Sequence, residues 1–184
     1  VTAGAATPFT KSVTYYTNGV GDEQSDYTVN YIGATPVDYT RYFYDTGTRA
    51  GTATINKKMF ASQTDTEAVA TALGAVSTTK SITYYANETG YEQSDYTVKY
   101  AGTTAVDYTR YFYDTGTRAG TATVNKRMFA SQTDKGAAVT ALGAVSTTKS
   151  VTYYANEVGD EQSDYTVKYA GTTAVDYTRY FYDT

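Results

Sequence analysis

DYTRYFYDTGTRAGTAT occupies residues 38–54, returns unchanged at 107–123, and starts a third time at Asp176. Its first half sorts side chains as a strand does: Val106, Tyr108, Arg110 and Phe112 fall on one face, and Asp107, Thr109, Tyr111 and Tyr113 on the other. The Asp-Thr-Gly-Thr that follows is turn chemistry. Each copy therefore encodes a strand that runs into a tight turn. Aromatic residues on both faces predict a central strand, covered on both sides.

Working outward, Lys11, Lys80 and Lys149 come into register, a period of about 69 residues. Lys80–Thr115 and Lys149–Thr184 differ only at Ile82/Val151, Thr89/Val158 and Tyr91/Asp160, whereas the first copy is looser, with Pro36 for Ala105 and Ile32 for Ala101. Residues 1–10 read as the end of a preceding unit, 11–79 and 80–148 as whole units, and 149–184 as part of a third. Val1 to Lys11 lies in phase with Val139 to Lys149. The expectation is a segment of a longer array, or a processed subunit whose incomplete ends neighbours complete.

Within a unit the β-branched and aromatic runs are Ser81–Tyr85, Asp95–Tyr100, Val106–Tyr113 and Thr121–Phe129, with turn residues between them. These predict a four-stranded antiparallel meander. Thr64-Asp65-Thr66-Glu67 fits a capping box, and Val69, Ala72, Leu73 and Val76 recur at helical spacing, so an optional short helix is expected over 64–76. Gly136 replaces Glu67 in the second copy and weakens that expectation there. The fold class read from the sequence is mainly β: tandem antiparallel sheet modules in an elongated or fibrous array.

Composition excludes several classes. Neither Cys nor His is present, which removes disulfides, thiolate metal sites and the commonest general base. Lys and Arg (15) are outnumbered by Asp and Glu (19), for a net charge of −4, and this argues against a nucleic-acid partner. No apolar run is long enough to predict a membrane span. The aromatics are mostly Tyr (22, against 6 Phe and no Trp), amphipathic rings whose hydroxyls need partners.

Candidate chemistry competes at each point with a structural reading. The acidic loop Asp22, Glu23, Asp26 and its copy Asp160, Glu161, Asp164 offer oxygens suited to calcium, but Tyr91 stands at the first acid of the middle copy, which favours a solvated hairpin loop. Asn87-Glu88-Thr89 matches a glycosylation acceptor, while its copy Asn156-Glu157-Val158 does not. Tyr15-Tyr16, Tyr84-Tyr85 and Tyr153-Tyr154 offer rings for stacking on sugars. The alternative is an aromatic ladder between strands, led by Tyr42, Phe43 and Tyr44, Tyr111, Phe112 and Tyr113, and Tyr180, Phe181 and Tyr182. The ladder is preferred because Trp, the strongest sugar platform, is missing. The candidate carboxylate pairs, Lys and Tyr recur with the repeat, whereas an active site is one constellation in one pocket, so neither catalysis nor a cofactor is expected.

Tyr42-Phe43-Tyr44-Asp45-Thr46-Gly47-Thr48-Arg49-Ala50-Gly51, and again Tyr111 to Gly120, resembles the YD repeats of bacterial Rhs, wall-associated and giant secreted repeat proteins. The resemblance implies an extracellular, β-rich structural array without its own active site. The leading expectation is a filament, fibre or surface stalk whose partner is itself, built by strand pairing. The alternative is a multivalent adhesin that binds glycans or cell wall.

Overall fold

The computed structural model describes residues 10–53, 55–121 and 124–183. These contain thirteen strands and no helix: β1 (Ser12–Thr17), β2 (Gln24–Ile32), β3 (Thr35–Tyr44), β4 (Thr48–Arg49), β5 (Met59–Asp65), β6 (Thr79–Ala86), β7 (Gln93–Ala101), β8 (Thr104–Tyr113), β9 (Thr117–Arg118), β10 (Met128–Asp134), β11 (Thr148–Ala155), β12 (Gln162–Ala170) and β13 (Thr173–Arg179). Strand pairing follows the order β1-β2-β3-β5-β6-β7-β8-β10-β11-β12-β13, with β4 beside β3 and β9 beside β8. The fold is thus all-β, an open antiparallel meander whose strands repeat in sequence order. Compactness divides it into residues 1–82 with 100–104, and 83–99 with 105–184.

In the first of these units, register places Tyr15 opposite Tyr27, Tyr27 opposite Arg41 and Arg41 opposite Gln63. Val29, Arg41, Phe43, Ala61, Gln63 and Asp65 are all buried, so this face carries the core. The opposite face carries rows of hydroxyls: Thr14 bonds Thr28 at 2.8 Å, Thr28 bonds the Tyr42 hydroxyl at 3.1 Å, and Thr40 bonds Thr64 at 2.9 Å. Period-two alternation accounts for the separation, since a slip of one residue would exchange the two faces. The hairpin between β2 and β3 turns on Gly33 (φ +62°), a first central position that accepts left-handed backbone, and Gly102 repeats it.

In the second unit Phe112, Ala130 and Val151 form the buried cluster, with Phe129, Val139, Leu142, Tyr153 and Tyr169 packed around it. Its β11 and β12 pair Tyr153 with Tyr165, as β1 and β2 pair Tyr15 with Tyr27, and a bulge follows the tyrosine in both hairpins. The repeat is therefore structural as well as textual.

Two expectations need correction. The segment 64–76 is not a helix: Thr64 and Asp65 end β5, and residues 66–78 form an irregular flap closed by Thr66 N donating to Thr78 O. Its capping groups are used elsewhere, Thr64 by Thr40 and Asp65 by Thr79. Gly74 sits at φ +146°, outside helical space, and Ala72 and Val76 are exposed, so no apolar helical face exists to bury.

The fourth long strand is not Thr121–Phe129 but Met128–Asp134. Asn125 adopts φ +60° and breaks the extended run, while the phrase Thr117-Arg118 makes only a short pair with Phe112 and Tyr113. Residues 122 and 123 of the expected strand, and residues 1–9 of the expected leading unit, lie outside the described residues. The other three expected strands match β6, β7 and β8; β8 is central, with β7 and β10 on its two edges, but the expected cover on both faces is incomplete, since Val106 is 40% exposed.

Candidate functional site

The Tyr-Phe-Tyr triplet does three different jobs within one turn of sequence. Phe43 and Phe112 point into the core and are fully buried. On the opposite face, Tyr42 and Tyr111 extend the hydroxyl rows to Thr28 and Thr97, each at 3.1 Å. The hydroxyls of Tyr44 and Tyr113 donate to Ser25 O and Ser94 O, both at 2.9 Å, tying the strand end to its neighbour. In the third copy Tyr180 and Tyr182 keep these bonds to Thr166 and Ser163, yet Phe181 is 87% exposed. The difference comes from the neighbouring strand, because β5 and β10 lie against β3 and β8, whereas β13 has β12 alone among the described residues.

Of the tyrosine pairs offered to sugar, the first ring of each is stacked within the sheet, whereas Tyr16 is 63% exposed and the Tyr154 hydroxyl lies 3.1 Å from Ser131 Oγ. Tyr15 stacks on Tyr27, Tyr84 on Tyr96 and Tyr153 on Tyr165, with centroids 4.4, 4.7 and 4.6 Å apart. Arg41 lies 5.1 Å over Tyr27, and Arg110 4.8 Å over Tyr96. Each guanidinium is buried and paired with the carboxylate that precedes that tyrosine, Arg41 with Asp26 and Arg110 with Asp95. Arg118 approaches the second oxygen of Asp95 at 3.4 Å, and Arg110 Nε donates to Val139 O at 3.0 Å. Burial holds the Arg41 guanidinium below its ordinary value, offset in part by Asp26.

The acidic loops are dispersed by these bonds. Asp26 belongs to Arg41, and Asp164 lies 3.4 Å from Arg179. Glu23 and Glu161 accept from Gly21 N and Gly159 N inside their own turns, and Glu161 also accepts from Met128 N at 3.1 Å. Among the described residues, no group of three or more metal-ligating acids converges. Asn87 sits at φ +78° and its side-chain amide donates to Gln93 at 2.8 Å, so the turn uses the group that a glycan would modify.

One constellation was not read from the sequence. Gln63, Asp65 and Thr79, with their copies Gln132, Asp134 and Thr148, are the polar side chains at the floor of each flap, and all six are buried. A cavity of about 400 Å³ opens beside the first set, between Gln63, Asp65, Val69 and Leu73. The alternation Gln-Thr-Asp at a strand end was its signal: two polar residues two apart must share one face, here the core face.

Burial raises the hydroxyl pKa of Tyr27, Tyr96, Tyr113, Tyr153 and Tyr169 above 10.0, and neighbouring tyrosines or carboxylates add to it. A phenol whose folded pKa exceeds its unfolded one contributes stability that is complete below the unfolded value and is lost as pH rises toward the folded one. Above about pH 10 the unfolded chain therefore gains from ionisation before the fold does. Alkaline titration is expected to show two classes of phenolate absorbance, exposed rings ionising first and buried rings together with unfolding. A single smooth titration, with the fold intact throughout, would contradict the burial described.

No helix among the described residues is long and apolar enough to cross a membrane. Comparison with protein-family models, with characterised proteins and with solved structures returns no match.

Proposed function

We propose that the chain is a structural protein, an extracellular repeat-built filament or surface stalk that assembles with itself by β-strand pairing. One observation carries this reading: units of nearly identical sequence repeat the same registers, Tyr15↔Tyr27↔Arg41 in one unit and Tyr153↔Tyr165↔Arg179 in the other. Identical surfaces related by a constant operation build an open assembly when that operation does not close on itself. Many of the aromatic and charged groups serve stacks, hydroxyl rows and ion pairs within the sheet, which supports a structural role for them.

The docking contact proposed is strand pairing of the kind that β8 makes with β10, and β13 is the strand on which it is tested. Its sequence, Thr173–Arg179, is that of β8, and β8 receives the strand Met128–Asp134 along this side. A synthetic peptide with the sequence of residues 114–151 is expected to bind the chain and slow amide hydrogen exchange in β13, where a scrambled peptide has no effect. Negative-stain images of the protein at assembly concentrations should show filaments. Discrete particles together with unprotected β13 amides would defeat the proposal and leave the adhesin alternative to be pursued with glycans.

A further inference from the structure

The buried Gln, Asp and Thr side chains are arranged for more than hydrogen bonding. Gly74 N donates to Gln63 Oε1 and Gly74 O accepts from Gln63 Nε2, both at 2.9 Å, so one glycine clamps both ends of the carboxamide. Thr79 Oγ1 donates to Asp65 Oδ1 over 2.6 Å and lies 3.2 Å from Gln63 Nε2. Asp65 in turn accepts from the same Nε2, at 3.2 Å and 3.3 Å to its two oxygens. The second copy reproduces the set: Gly143 clamps Gln132 at 3.0 and 2.9 Å, Thr148 Oγ1 is 2.6 Å from Asp134 Oδ1, and it is 3.0 Å from Gln132 Nε2. Asp134 Oδ2 is buried with no hydrogen-bond partner, an acceptor held in reserve.

Hydrogen bonds alone would make this a polar lock on the flap. The roles present, however, are those of acyl transfer: a hydroxyl nucleophile, a carboxylate within proton-transfer reach of it, an acyl carbon, and an N–H already aimed at the acyl oxygen. The three side chains of each set are almost fully buried, which limits the access of water to them, and they are carried by strands β5 and β6, or β10 and β11. In the second unit register sets Asp134 directly opposite Thr148.

We propose that Thr79 and Thr148 become esterified to Gln63 and Gln132, as spontaneous cross-links between neighbouring strands. The Thr Oγ1–Gln Cδ bond forms and the Cδ–Nε2 bond breaks. The hydroxyl proton passes to the Asp carboxylate, which already touches both Oγ1 and Nε2, and from there to the departing nitrogen. That nitrogen leaves as ammonia, and the carboxylate returns to its starting state. Negative charge that develops on Oε1 meets the Gly74 or Gly143 N–H. No oxidant, metal or cofactor takes part. Each bond closes the flap, residues 66–78 in the first unit and 135–147 in the second, into a covalent ring, a clasp open to a chain that has no cysteine.

The inference stands apart from the assembly reading, because the bonds form within one chain whether or not it polymerises. Intact mass of the folded, aged full chain tests it directly: the expected mass is the sequence mass less two ammonia molecules. Proteolysis should then yield one peptide pair joined through Gln63 and Thr79, and another through Gln132 and Thr148, both separated by hydroxylamine. Asp65→Asn is expected to restore one ammonia while the second unit keeps its bond, and Asp134→Asn the converse. An unchanged mass in the native protein overturns the proposal, with no variant needed. So does an ammonia loss that maps elsewhere, for example to Asn18-Gly19, and so does a bond that persists in both Asn variants.

Discussion

Phe112→Ala is expected to destabilise the unit formed by residues 83–99 and 105–184 by about 3–5 kcal/mol, as large-to-small changes in a packed core do. The ring is fully buried against Ala130 and Val151, with Phe129, Leu142 and Tyr153 at its margins, and strands on both sides restrict collapse into the space it leaves. Phe181→Ala supplies the control within the same chain, since it removes the same ring from the same local sequence. Phe181 is 87% exposed, so its loss should stay within about 0.5 kcal/mol. Repeat units unfold as neighbouring but distinguishable blocks, so amide exchange within β8, β10 and β11 is a better measure than one global midpoint. Equal effects of the two substitutions would mean that β10 does not cover Phe112.

Arg110→Ala should cost a similar amount, about 3–5 kcal/mol, because it leaves a buried carboxylate without its main counter-charge. Arg110 is 5% exposed and binds Asp95 at 2.5 Å, Val139 O at 3.0 Å and the face of Tyr96. Its removal therefore frees the flap and the Tyr84–Tyr96 stack together with the carboxylate. Arg118, at 3.4 Å, holds the second oxygen of Asp95 and limits the loss. The equivalent Arg179 in the third copy has a side chain 68% exposed and pairs with Asp164 at 3.4 Å. An exposed pair of that kind contributes no more than about 1 kcal/mol, so Arg179→Ala should be nearly silent. Chemical unfolding followed by tyrosine fluorescence checks both, and a large effect at Arg179 would show that burial does not set the energy of this pair.

Salt provides a further contrast among charges. Lys80 and Lys149 reach Asp38 and Asp107 at 2.9 and 2.8 Å, while Asp176, with the same surrounding sequence, pairs with Lys168 at 3.0 Å. That bond holds the Asp176 carboxyl below its ordinary value. All three lysines are exposed, and screening should weaken these pairs while leaving Arg110–Asp95 intact.

Much of the fold was legible in the residues. Alternation in Val106–Tyr113 and the β-branched, aromatic run Asp95–Tyr100 located β8 and β7, turn residues separated the runs, and the repeat of Lys11, Lys80 and Lys149 carried these readings along the chain. The flap was misread because Val69, Ala72, Leu73 and Val76 match helical spacing, a local signal that the burial of Gln63 and Asp65 overrides. A clamp on Gly74 holds the segment to the sheet more tightly than an amphipathic face with half its residues exposed could do. The Gln, Asp and Thr cluster escaped notice since its members lie on two strands joined by a flap, and polar residues at strand ends usually face solvent.

The amino-acid sequence by itself determined the period, three of the four long strands of a unit and which of their side chains share a face, because alternation and turn preference act over a few neighbouring residues. Tertiary structure alone decided what those faces meet. Phe112 lies within β8 beside β10 and is buried, whereas Phe181 follows β13, has no such neighbour among the described residues and is 87% exposed; Asp107 and Asp176 pair with different lysines. Burial and charge pairing are properties of the space around a residue, and identical words acquire different energies when their neighbours differ.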